Sequence, residues 1–63
     1  MAILDFDNLP SGDDLISKIN EMDQDDLLTN IQKAREFILD KKDKGEEVPT
    51  ELASCAVRLT RKL

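Results

Sequence analysis

Apolar residues recur at helical spacing in three short blocks of this chain, and between the blocks stand residues that stop or restart a helix. Leu15, Ile16, Ile19 and Met22 form the first block. Leu27, Leu28, Ile31, Ala34 and Ile38 form the second, with Phe37 and Leu39 widening its apolar surface, and Leu52, Ala53, Ala56, Val57, Leu59 and Leu63 form the third. Pro10 and Gly12 precede the first block, and Gly45 and Pro49 separate the second from the third. The pattern predicts an all-α fold with helices over about 12–22, 24–44 and 50–62. A connector this short suits antiparallel neighbours, so the second and third helices should form a helical hairpin beside a short leading helix, a small three-helix bundle.

The expected ends have local causes. Ser11 can cap the first helix with its hydroxyl, and Asp13 and Asp14 sit where the helix dipole favours negative charge. Asp23 is the candidate N-cap of the second, with Asp25 and Asp26 in the following turn and Met22 and Leu27 placed as a hydrophobic staple. Lys41, Lys42 and Lys44 complement the negative end of that helix before Gly45 offers a left-handed stop. Thr50 is the candidate N-cap of the third, whose last turns carry Arg58, Arg61 and Lys62. Ala53, Cys55 and Ala56 are small enough to let another helix approach closely.

Residues 1–10 lack a helical pattern and read as an extended N-terminal arm ahead of a helical domain over 11–63. Leu4 and Phe6 can point one way while Asp5 and Asp7 point the other. Such an arm folds back over its own helices, frays at the terminus or docks on a partner.

With 63 residues the chain can bury only a thin core, for which Leu28, Ile31, Ile38, Leu52, Ala56 and Leu59 are the candidates. Its one cysteine and lack of histidine give it neither an internal disulfide nor a complete zinc site to stiffen that core. Apolar helix surface is therefore expected to remain for a second copy or a larger protein to cover. Ile3, Leu4, Phe6, Phe37 and Leu39 are the candidate partner contacts.

Catalysis requires groups of matched pKa held in a cleft, and this inventory offers no triad and no general base of the histidine type. Cys55, between Ser54 and Ala56, reads as a small apolar filler. The Asp-rich stretches fail the calcium-loop test: counted from Asp5 the required glycine falls on Pro10, and counted from Asp23 it falls on Leu28. No cofactor, metal or small-molecule substrate is expected.

Net charge is −5 and unevenly placed: residues 1–26 hold eight carboxylates against one lysine, while residues 27–63 hold eight bases against six acids. The balance disfavours direct attraction to nucleic acid, and in a hairpin the lysine cluster and the Arg58, Arg61, Lys62 cluster lie at opposite ends. No apolar run reaches membrane-spanning length, and Asp5 and Asp7 interrupt any signal-like opening, so a cytoplasmic setting is the expectation.

The closing segment, Glu51-Leu-Ala-Ser-Cys-Ala-Val-Arg-Leu-Thr-Arg-Lys-Leu63, resembles the endings of small helical proteins encoded by tailed bacteriophages. It covers about a fifth of the chain. The resemblance implies no catalytic residue and no cofactor. It suggests a phage accessory or virion component that acts in the host cytoplasm or the particle and attaches to other copies or to a larger phage protein. Two functions stand at this point: a protein–protein interaction module, or an acidic inhibitor that imitates nucleic acid and blocks a basic surface of a host protein.

Overall fold

A computed structural model describes residues 3–10 and 12–63. Three helices follow in chain order: α1 (Asp13–Asn20), α2 (Gln24–Asp43) and α3 (Thr50–Lys62), with no strand among the described residues. The long α2 and α3 form the antiparallel hairpin, and α1 packs chiefly on α3.

Asp23 adopts extended backbone, and its carboxylate accepts the Asp26 N–H at 2.8 Å, capping α2. Met22 and Leu27, on either side of this cap, are both buried. The need for an extended residue at 23 also ends α1 early. Its helix stops at Asn20, and Met22, expected within it, instead hangs from a tighter turn through its N–H to the Ile19 carbonyl. The Ser11 cap lies outside the described residues; within them, α1 starts after Gly12 at φ 59°.

At the other end of α2, Gly45 takes φ 72° and donates to the Lys42 carbonyl, while Glu46 N–H donates to the Lys41 carbonyl at 2.8 Å. These two bonds are the Schellman pattern. Lys41 and Glu46, the positions that often make an apolar contact there, are joined by an ion pair at 3.5 Å. α3 departs from the expected cap: Pro49 holds the N-cap position and Thr50 is already helical, with no side-chain capping bond. Proline fixes φ near the helical value, so the chain can enter the helix directly from its extended conformation.

The core is Leu4, Phe6, Leu15, Ile19, Met22, Leu27, Ala34, Leu52, Cys55 and Leu59. It differs from the expected core on α2. Leu28 is 43% exposed, whereas Leu27, Asn30 and Ala34 face inward. Ile31, Ile38 and Ala56 pack against the core only in part. Successive residues turn about 100° around a helix, so centring the buried arc on Leu27 moves its neighbour Leu28 to the rim. What recentres it is the arm, which covers the Asn30 and Phe37 side of α2.

Candidate functional site

The arm folds back. Leu4 N–H donates to Asn30 Oδ1 at 2.8 Å, and two residues on, the Phe6 ring lies 5.5 Å from that of Phe37 at a tilt of 39°. A turn then leads the chain away, with Asn8 N–H on the Asp5 carbonyl and Asp7 N–H on the Asp5 carboxylate.

Asn30 was not signalled as a structural residue by apolar periodicity. It is fully buried, and besides Leu4 it engages the Asp26 carbonyl through Nδ2 at 2.7 Å, with Met22 Sδ at 3.5 Å. The available signal was its register: Asn30 sits three residues after Leu27 and four before Ala34, in the middle of the stripe that faces the core. A polar side chain there needs partners, and the arm's backbone supplies one.

The five candidate contact residues do not form one surface. Leu4 and Phe6 are buried in the core, Phe37 is half-buried against Phe6, and Ile3 and Leu39 are exposed. Phe37 and Leu39 lie about 200° apart around α2, so the helix cannot present both to the same partner face. An arm that shields its own thin core withdraws Leu4 and Phe6 from contact with other molecules.

A different surface gathers exposed apolar and charged groups. α1 buries Leu15 and Ile19 and α3 buries Leu52, Cys55 and Leu59, which turns Ile16, Ala53 and Val57 toward the open side of the α1/α3 junction. These residues line a groove of about 570 Å³ that also includes Asn20 and Ser54. Ile16 is 36% exposed and Val57 50%. Arg58, Arg61 and Lys62, spaced to share one side of α3, complete the lining. The ion pairs among the described residues are Lys41–Glu46 and Lys44–Asp40, so these three cations have no carboxylate partner there. Attraction to the negative end of α3 is worth only about 0.3–1 kcal/mol and is not a substitute for a carboxylate partner.

Cys55 is buried, and desolvation pushes its thiol pKa up. The hydrogen bond that Lys44 donates to Asp40, reinforced by the charge of that carboxylate, raises the Lys44 pKa. Among the described residues no group of three or more Cys, Asp or Glu could hold a metal ion, and no helix is long and apolar enough to cross a membrane. Compared with known proteins, the chain matches no family model, no curated protein and no solved structure.

Proposed function

We propose that this protein is a non-enzymatic protein–protein interaction module that docks a partner on the α1/α3 groove. The observation that carries this reading is the coincidence, on a chain of net charge −5, of an exposed apolar floor at Ile16, Ala53 and Val57 with three cations that have no ion-pair partner among the described residues. Apolar side chains left in water favour association, and the charged rim selects what associates. The resemblance of residues 51–63 to phage-encoded helical proteins adds the proposal that the module is a phage accessory or virion component.

Photocrosslinking tests the role. A photoreactive amino acid at Val57, in cells that naturally express the full chain, should capture a discrete species, and the same amino acid at exposed Glu36 should not. Indistinguishable products from both positions would remove the groove from consideration.

A second reading, an acidic inhibitor that blocks a basic surface, draws on the exposure of Asp5, Asp7, Asp13, Asp14, Asp23 and Asp25. Salt separates the two. A complex seated on apolar residues survives moderate ionic strength, whereas one held by carboxylates alone weakens steeply.

A further inference from the structure

Resting on the docking role of the α1/α3 groove, we infer that its occupant is an amphipathic helix with an acidic flank, supplied by a different protein and not by a second copy of this chain. The floor accepts apolar side chains, and Arg58, Arg61 and Lys62 stand along one side of it without carboxylates of their own. A helix whose apolar stripe enters the groove would set residues at neighbouring helical positions against those cations. Carboxylates there gain charge-assisted hydrogen bonds, and lysines meet like charge.

The length of α1 favours a helical occupant. α1 has 8 residues and α3 has 13, so α3 runs more than a turn beyond what α1 can cover. A partner helix laid along the junction would act as a fourth helix of the bundle and cover the remainder.

A second copy fits poorly in either symmetry. Groove against groove, as a two-fold dimer requires, sets the cationic side of one copy against the opposite wall of the other, and no carboxylate lines that groove to pair with it. Head to tail, α2 of a folded copy offers exposed Leu28 and Leu39 beside carboxylates, but exposed Arg35 lies between them on the same face, so that face brings a like charge and no continuous apolar stripe. The partner helix must bring both carboxylates and a continuous stripe.

The test uses the isotope-labelled full chain and two synthetic helical peptides of identical leucine stripe, one flanked by glutamates and one by lysines, followed by two-dimensional NMR. The acidic peptide should shift the resonances of Ile16, Ala53, Val57 and Arg58 and bind at least roughly tenfold more tightly than the basic one. Arg58→Glu with Arg61→Glu, both at exposed positions, should invert that order, and Val57→Asp should abolish binding of either peptide. Equal binding of both peptides at the groove, or an order unchanged by charge reversal, would overturn the acidic partner while leaving the docking role intact. Concentration-dependent shifts at the groove without peptide would identify a second copy as the occupant and overturn the inference. No response at the groove to either peptide would overturn it too, and the docking role would then stand or fall on the Val57 crosslink.

Discussion

The side-chain oxygen of Asn30 accepts the backbone N–H of Leu4 across 26 positions of sequence, and this bond ties the N-terminal arm to the middle of α2. Apart from the turn after Asp5 the arm has no helix or strand of its own, so its place depends on this bond and on the burial of Leu4 and Phe6. Asn30→Ala leaves the Leu4 N–H without its acceptor in a dry site. The expected cost is about 1–3 kcal/mol, read as a lower urea midpoint, together with faster amide exchange at Leu4. An unchanged midpoint would mean that the bond contributes nothing to the fold.

Phe6 and Ile3 are three residues apart and should respond oppositely. Phe6 is buried against Phe37, and truncation to alanine removes about 3–5 kcal/mol, comparable to the whole stability that a core of this size supplies. Phe6→Ala should therefore be largely unfolded by circular dichroism at room temperature. Ile3→Ala, at a position 47% exposed, should shift the midpoint by no more than about 0.5 kcal/mol.

Two of the expected caps, Asp23 and Thr50, make a matched pair. Asp23→Ala removes the bond to the Asp26 N–H and should cost about 1 kcal/mol in thermal or chemical melts. Thr50→Ala should be close to neutral, because Thr50 lies inside α3 and makes no capping bond. A large loss at Thr50 would contradict Pro49 as the N-cap of α3.

Burial raises the Cys55 pKa in the folded chain, which fixes the sign of its pH dependence. Below the ordinary thiol value of about 8.5 both states are protonated and the residue has no effect on the pH profile. Above it the unfolded chain loses its thiol proton first, so stability should fall as pH rises from there toward the raised folded value. Cys55→Ala or Cys55→Ser should flatten that decline. Alkylation of the native thiol should be slow at neutral pH and become fast when urea unfolds the chain.

The helices were legible because their signals are local. Periodicity, the Asp23 cap and the Gly45 stop act over three or four residues, and each is visible in the sequence alone. The α1/α3 groove was not legible in this way. Ile16 and Val57 read as ordinary members of their stripes, and Arg58, Arg61 and Lys62 read as compensation for a helix end. Only the packing of a short helix on a longer one brings them to one side.

The order of apolar and polar residues by itself determined three helices, a hairpin and an arm without helical period, since backbone hydrogen bonding along a helix is a short-range affair. Which edge of each stripe went inside was decided by tertiary contact. Leu27 and Leu28 are chemically identical and adjacent, yet one is buried and the other is 43% exposed, because the folded-back arm occupies one flank of α2 and α3 packs against the helix as well. A side chain is buried only when another element comes to cover it, and that depends on residues far away in the chain.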